Sequence, residues 1–379
     1  MLEGAPANPF RYSTPVGLDD LIDRDAETAE LLGTAAEGNN SRLVAPRRYG
    51  KTSLLRRALG EAAVGPHGWN TVYVDFFGVL TLSDVADRVE RAYARSLTGP
   101  LARWFDGVRR TLRPTVTART GPLSAKAHLD PPRAALADRL DLPLRLYERT
   151  GRRTLVVLDE FQELLGVATG ADAVVRSSIQ HHGEAAAYVF AGSHVGMMNE
   201  LFGDRRRAFY AQARPVRLPP LPPDDCAVYV TRRFAESGRD VGDALGPLLD
   251  VAGGHPQRTM LLAHALWDRT HDGGRADPAT LAAALDAVLL DLGDELRILW
   301  SSLGTSQRRV LAAVAAGRPP YGTGSGGSRG GAVAAALGAL VDRGELLAEG
   351  RAPVSYRVVD PLVVEWLRRD VGSAADPGR

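Results

Sequence analysis

The sequence predicts an α/β fold: a parallel sheet covered by helices, followed by an all-helical stretch and a smaller domain of two helices and a β-ribbon. Three observations carry this reading. Up to about residue 222, short apolar runs alternate with stretches of helical spacing, the pattern of strands joined by crossover helices. Residues 223–303 read as helix throughout. From about 304 to 371 the period changes again, to two helices, two short strands and a closing helix. At 379 residues the chain is long enough for two or three domains, taking about 150 residues for each.

Residues 1–25 read as an extended arm, because "NPFRYSTP" is too rich in proline and polar residues for a helix. Asp25 to Thr34 has helical spacing. "RLVA" is a short buried strand, and "TSLLRRALGEAA" is a helix that leaves the loop after it. A second strand, "TVYVDFF" (71–77), precedes a helix near Ser83–Ser96. Residues 99–132 alternate weakly and break at Gly121–Pro122, which predicts a hairpin or ordered insertion. The arginine-rich stretch from Arg103 to Arg153 reads as a solvated face, with a polyanion or partner patch as the alternative. A helix over Pro132–Thr150 leads into the strand "TLVVLDE". A helix over Asp172–His182, the strand "AAAYVFAGS" (185–193) and the strand "PVRLPPL" complete the alternation. His181 and His182 have no cysteine or clustered carboxylates near them in sequence and read as surface residues. Leu281–Leu303 is a long apolar-rich stretch placed to join two domains. "TSQRRVLAAVAAG" is a helix with Thr305 as its N-cap, and "AVAAALGALVDRG" is a second one ended by Gly344. Between them lies the Gly/Ser-rich "GRPPYGTGSGGSRGG", and the tail 372–379 reads as disordered.

The chemistry begins at "APRRYGKTS" (45–53), which nearly fits the phosphate-loop pattern G-x-x-x-x-G-K-[ST]. Gly50, Lys51 and Thr52 are in place, while Ala45 stands where the first glycine is usual. A methyl group there is tolerable if φ at Ala45 is negative. The strand before and the helix after supply the context the motif needs. Composition adds weight. Of 46 Lys plus Arg residues, lysine occurs only at Lys51 and Lys126. Arginine serves nearly everywhere else, yet the position that needs a compact ammonium under two phosphates keeps lysine. Pro46, Arg47, Arg48, Tyr49, Gly50, Lys51, Thr52 and Ser53 are therefore the candidate nucleotide contacts, with ATP as the ligand and Thr52 on Mg²⁺.

In "TLVVLDE", Asp159 emerges at the C-terminal end of a buried strand, where open α/β sheets bind ligands. Asp159 is the second candidate Mg²⁺ ligand, and Glu160 is placed to polarise the attacking water. Ser193 ends the next strand and reads as a γ-phosphate or water contact, with a plain strand cap as the alternative. Arg205, Arg206 and Arg207 follow one helix later; Arg206 represents a candidate arginine finger, against a solvated basic turn. "GGHPQR" (253–258) starts a helix in the second domain, where His255, Pro256 or Arg258 would report nucleotide state.

Composition excludes several classes. The apolar runs fall far short of the roughly 20 residues a membrane span needs, and the N-terminus lacks a signal peptide's basic and apolar regions. One cysteine, Cys226, excludes an intrachain disulfide framework and argues against a thiolate zinc site. A cytoplasmic protein is the simplest expectation. The net charge of +1 predicts no dominant attraction to nucleic acid. A GTPase is disfavoured because Lys126 sits in "SAKAH" rather than N-K-x-D, and a transporter ATPase because no LSGGQ-like stretch exists. A small-molecule kinase is disfavoured because the helical region runs on into a winged-helix pattern.

Taken together, "NPFRYSTPV…LIDRDAE", "APRRYGKTSLL", "LVVLDEFQEL", "VFAGSHVGMM", "AFYAQARPVRLPPL", "AGGHPQ" and "YRVVDPLVVEWLRR" resemble the archaeal-type ATPases. These are a branch of the AAA+/STAND P-loop proteins related to origin-recognition ATPases. The resemblance implies an α/β P-loop NTPase core over 1–222, a helical lid over 223–303 and a winged-helix domain over 304–371. It implies Lys51, Thr52, Asp159 and Glu160 in the roles above, Ser193 at the sensor position, and Ile22, Asp23 and Arg24 near adenine. Two features depart from it: "LIDRD" lacks the usual glycine, and Gly/Ser loop replaces the winged helix's middle helix. The expected function is an ATP hydrolase whose turnover moves the lid and winged helix against a protein partner. The alternative is a slow or non-hydrolysing ATP-dependent DNA-binding or scaffold protein. "GGAVAAALGALVDRG" offers few side chains to base edges, so DNA would be met mainly through phosphate contacts from Arg308, Arg309, Arg329 or Arg351. A homo-oligomer stays open.

Overall fold

The computed structural model describes residues 7–14, 17, 20–112, 131–321, 328–350 and 354–371. The chain divides into two compact units. One holds Asp25–Ala45 and Leu54–Arg217; the other holds residues up to Arg24, the short segment Pro46–Ser53 and everything from Leu218 onward.

The first unit is built on a five-stranded sheet. Its strands are β1 (Ser41–Val44), β2 (Asn70–Asp75), β3 (Thr154–Asp159), β4 (Ala186–Gly192) and β5 (Arg214–Arg217), in the order β2-β3-β4-β1-β5. Every pairing is parallel. Strands β3 and β4 are buried along their whole lengths, which is why their sequences are continuous apolar runs rather than alternations. Helix α1 (Asp25–Ala36) precedes β1, and helices α2 (Lys51–Val64), α3 (Leu82–Ser96), α4 (Gly99–Thr111), α5 (Pro131–Leu140), α6 (Leu142–Thr150), α7 (Leu164–Val167), α8 (Ala171–Ile179) and α9 (Val195–Gly203) connect the strands. A core of Val72, Val74, Val156, Leu158, Phe161, Phe190, Phe202 and Phe209 fills one side. Helix α3 starts with a capping box between Thr81 and Asp84.

Three expectations change here. Residues 99–111 form helix α4 rather than part of a hairpin; Pro100 suits a first helical turn, and Phe105 gives the helix a buried anchor. Residues 113–130, which carry the rest of the expected hairpin, lie outside the described residues. The helix over 132–150 is two helices, because Pro143 restarts the chain after Asp141. His182 is buried rather than superficial: Nδ1 bonds to Tyr188 Oη, and Nε2 lies 3.3 Å from Asp141.

The second unit is helical. It contains α10 (Pro223–Glu236), α11 (Leu245–Ala252), α12 (Pro256–Arg269), α13 (Pro278–Asp291) and α14 (Gly293–Ser302). The stretch 281–303 thus breaks into two helices at Leu292. Beyond it come α15 (Thr305–Ala315), α16 (Ser328–Asp342), an antiparallel ribbon of β6 (Leu346–Glu349) and β7 (Ser355–Val358), and α17 (Pro361–Trp366), a winged-helix-like arrangement. The N-cap of α15 is Gly304, not Thr305; Gln307 Oε1 accepts the Gly304 N–H at 2.8 Å, the half of a capping box that needs no side chain on the cap residue. Gly344 follows α16 with φ +76°, the left-handed turn that glycine permits. One core runs through Phe234, Leu248, Leu262, Leu266, Leu285, Leu311, Leu340 and Leu362. The N-terminal arm is anchored in it. Phe10 is buried 5.3 Å from the Phe234 ring, and Asn8 Nδ2 donates to His264 O at 3.1 Å. The loop at 322–327 and the tail 372–379 lie outside the described residues.

Candidate nucleotide site

Strand β1 delivers the chain to the loop at Ala45. Ala45 is buried, and its N–H donates to Gly192 O at 3.3 Å, continuing the β1–β4 pairing by one residue. It is not among the residues with positive φ, so the methyl group sits in allowed backbone without strain. The missing first glycine therefore brings no backbone strain at that position. Further along, Arg48 (φ +65°) and Gly50 (φ +85°) are left-handed. That alternation of hand turns successive N–H groups toward one side and builds an anion-binding concavity. Helix α2 starts at Lys51, so Lys51, Thr52 and Ser53 supply first-turn N–H groups and the positive end of the helix. Lys51 and Ser53 are buried and Thr52 half-buried.

The loop is packed into its own unit by residues other than the motif's. Tyr49 is buried, lies edge-on to His255 with ring centres 5.2 Å apart, and accepts a hydrogen bond from Arg357 of β7 at 3.2 Å. Arg48 pairs with Glu295 of α14 at 3.0 Å. A Cβ on Gly50 would lie 3.9 Å from Pro256 Cγ. Pro46 is buried and Arg47 exposed. Pro256 opens α12, with His255 as N-cap: its Nδ1 accepts the Arg258 N–H at 3.3 Å. Before it, Gly254 is left-handed (φ +71°), and a Cβ there would meet Leu221 O at 2.5 Å, so only glycine fits. Burial depresses the His255 imidazole to about 4. Arg24 is left-handed (φ +81°) and buried, and it donates to Pro219 O at 2.8 Å; Ile22 joins the core.

In the sheet unit, Asp159 ends β3 and is buried. Tyr73 Oη of β2 donates to Asp159 Oδ2, and the Glu160 N–H donates to Asp159 Oδ1 at 2.9 Å. Glu160 is left-handed (φ +50°), an uncommon conformation for a residue with a side chain. Its Oε2 accepts from Ser193 Oγ at 2.8 Å, Ser193 N–H at 3.2 Å and Gln162 Nε2 at 2.6 Å. The parallel order places β4 between β3 and β1, so Asp159, Ser193 and the β1 end leading to the loop are neighbours at one edge. Sequence reading missed Tyr73 and Gln162; "TVYVDFF" and "LDEFQEL" contain them without marking them, because both contacts depend on strand order and chain reversal.

The arginine run is committed locally. Arg206 is exposed and pairs with Asp204 at 2.8 Å, and the Arg206 guanidinium holds that carboxyl down at about 2. Arg207 pairs with Glu200 and with Asp172. Arg205 is exposed. In the winged-helix-like region Arg308 is occupied by Trp300 O and Ser301 O, both at 2.8 Å, while Arg309 is exposed; the Arg329 side chain and Arg351 lie outside the described residues.

No group of three His, Cys, Asp or Glu side chains that would hold a metal by itself occurs among the described residues. A threonine hydroxyl and an aspartate carboxylate are each of the oxygen-donor type that Mg²⁺ takes.

No protein-family model and no curated protein matches the chain. Among solved structures it is similar to the Walker-type ATPase PABY2304 of Pyrococcus abyssi, at TM-score 0.64 and 19% identity over 93% of this chain and 97% of that one. It is also similar to the ORC2 protein of Aeropyrum pernix in its ADPNP–ADP complexes, at TM-score 0.51 and 14% identity over 92% and 93%. At these identities the likeness speaks for the fold. With the strand order β2-β3-β4-β1-β5 and the loop that follows β1, the chain has the α/β P-loop fold of the Walker-type ATPases.

Proposed function

We propose that the protein binds ATP with Mg²⁺ and hydrolyses it, as an AAA+/STAND-type switch whose nucleotide state is passed to the lid and winged-helix-like region acting on a protein partner. One observation supports hydrolysis above all: Glu160, beside Asp159, is held by Ser193 and Gln162 through one carboxylate oxygen. A carboxylate fixed in this way is suited to take a proton from water. Lys51 would neutralise the β- and γ-phosphates, backed by the N–H groups of Arg47 to Ser53 and the dipole of α2. Mg²⁺, held by Thr52 and Asp159, would supply charge neutralisation on the phosphates. Ser193 would orient water together with Glu160. Arg24 would lie near the adenine, Pro256 would report the nucleotide state to the helical region, and Arg206 would serve as a finger only after leaving Asp204. A cytoplasmic location belongs to the same reading; no helix among the described residues is long and apolar enough to cross a membrane. DNA and self-association stay as partners to be tested, DNA by a salt series.

The test is single-turnover hydrolysis by wild type and Glu160→Gln, alongside ATP titration with sizing. The expected result is retained ATP binding with a rate loss of about 10²- to 10⁴-fold in the variant. Equal rates would remove the general-base role of Glu160, no hydrolysis by either would leave an ATP-dependent scaffold or DNA-binding protein, and no binding at millimolar ATP–Mg²⁺ would remove the nucleotide altogether.

A further inference from the structure

We propose that Gln162 is a positioning residue for Glu160, and that Gly192 is glycine to make room for it. This rests on the hydrolase reading above. Gln162 lies two residues past Glu160 in the 3-10 turn Phe161–Glu163 and is buried, with 2% of its surface exposed. Its Nε2 donates to Glu160 Oε2 at 2.6 Å. The carboxylate also fixes which way the amide faces, since the opposite orientation would set two acceptors against each other. Gln162 Oε1 is buried with no hydrogen-bond partner. Burying an amide half-satisfied is costly, and an apolar side chain of similar length would avoid that cost. The amide is therefore retained for what its other end does, which is to hold Glu160.

Glu160 needs holding. Its backbone is left-handed and the residue is half-buried, and a flexible glutamate side chain does not by itself keep its carboxylate in one place. Ser193, just past β4, donates to Oε2 through its hydroxyl and its N–H, and Gln162 donates to the same oxygen from the turn. Donors arriving from two places in the chain restrict the carboxylate far more than those of either residue alone. A shift of about 1 Å in a reacting group costs on the order of 10²-fold in rate.

Gly192 supplies the space. A Cβ at this position would lie 2.4 Å from Gln162 Oε1 and 2.6 Å from Met198 Cγ. Its φ is not positive, so an alanine would suit the backbone and only the packing forbids it. Glycine at the last residue of a buried strand, which otherwise favours large apolar side chains, is thereby accounted for.

The experiment measures kcat, KM and ATP affinity for wild type, Glu160→Gln, Gln162→Met, Gly192→Ala and the Gln162→Met/Gly192→Ala double variant, each with its melting temperature. Methionine keeps the length and volume and removes the donor. Gln162→Met is expected to lower kcat about 10- to 100-fold with ATP affinity unchanged. Gly192→Ala is expected to lower kcat similarly and to add little in the Gln162→Met background, because both act by displacing one amide. Wild-type kcat in Gln162→Met, or losses that multiply in the double variant, would overturn the proposal while Glu160→Gln stays inactive. If wild-type turnover does not depend on Glu160, the general-base role of Glu160 falls and the proposal with it. Should Gly192→Ala fail to fold, Gln162→Met alone decides by its split between kcat and ATP affinity, which a packing role would not produce.

Discussion

Arg357 of β7 donates to Tyr49 Oη at 3.2 Å, so a residue inside the loop before α2 is bonded to the ribbon near the C-terminus. The same guanidinium holds Glu349 at 2.8 Å and Gly253 O at 3.3 Å. One arginine thus joins the loop, the turn before α12 and the β6–β7 ribbon. Tyr49→Phe removes only the acceptor on the loop. It should cost about 1.5 kcal/mol of stability, the low end for a hydrogen bond to a charged donor, because the guanidinium keeps its other partners. Amide exchange over 355–358 should slow on ATP addition in wild type and be insensitive to ATP in the variant. An unchanged ATP response in Tyr49→Phe would show that the loop signals by another route.

His255 gives a pH dependence with a definite sign. Its folded value, about 4, lies below the ordinary 6.5, because burial penalises the imidazolium. Between those two values the unfolded chain binds a proton that the folded chain does not. Stability is therefore full above pH 6.5, falls as pH drops through that window, and stops falling near 4. By pH 5 the loss from this one group is about 2 kcal/mol. His182, also depressed by burial, adds to the slope with the same sign. His255→Asn keeps an N-cap for α12 and removes the titration. Urea midpoints at pH 7 and pH 5 should move closer together in the variant; an unchanged difference would assign the slope elsewhere.

Tyr73 orients Asp159 across the β2–β3 pair. Groups that bond to a metal-binding carboxylate tune its affinity by about 10- to 100-fold. Tyr73→Phe should raise the Mg²⁺ concentration for half-maximal ATP binding about tenfold and leave metal-free ATP binding unaltered. A superimposable Mg²⁺ titration would mean that Asp159 does not depend on Tyr73 or does not meet the metal.

The parts of the site that could be read from sequence are those made by neighbours along the chain. "RLVA", the loop and the first turn of α2 are contiguous, so the pattern around Lys51 shows what they are. The run Thr154–Leu158 announces a buried strand, and Asp159 follows at its end because the next residue is charged. The partners of these residues come from far away. Tyr73 is 86 residues from Asp159, Ser193 is 33 from Glu160, and Arg357 is 308 from Tyr49. The Tyr73 and Ser193 contacts follow from strand order, which no local period encodes. The burial of His182 has the same origin: its partners Tyr188 and Asp141 are supplied by β4 and by the chain before α6.

By itself, then, the sequence determined the strands of the sheet, the loop that precedes α2 and the carboxylates at the end of β3, since propensity, periodicity and motif spacing act over a few residues. The tertiary structure alone decided which side chains hold those carboxylates, why Gly192 has no side chain, and how Tyr49 comes to be bonded to the last ribbon of the chain. These are contacts between surfaces that exist only after the sheet has ordered its strands and each core has closed, and their cost or gain depends on burial that no single segment possesses alone.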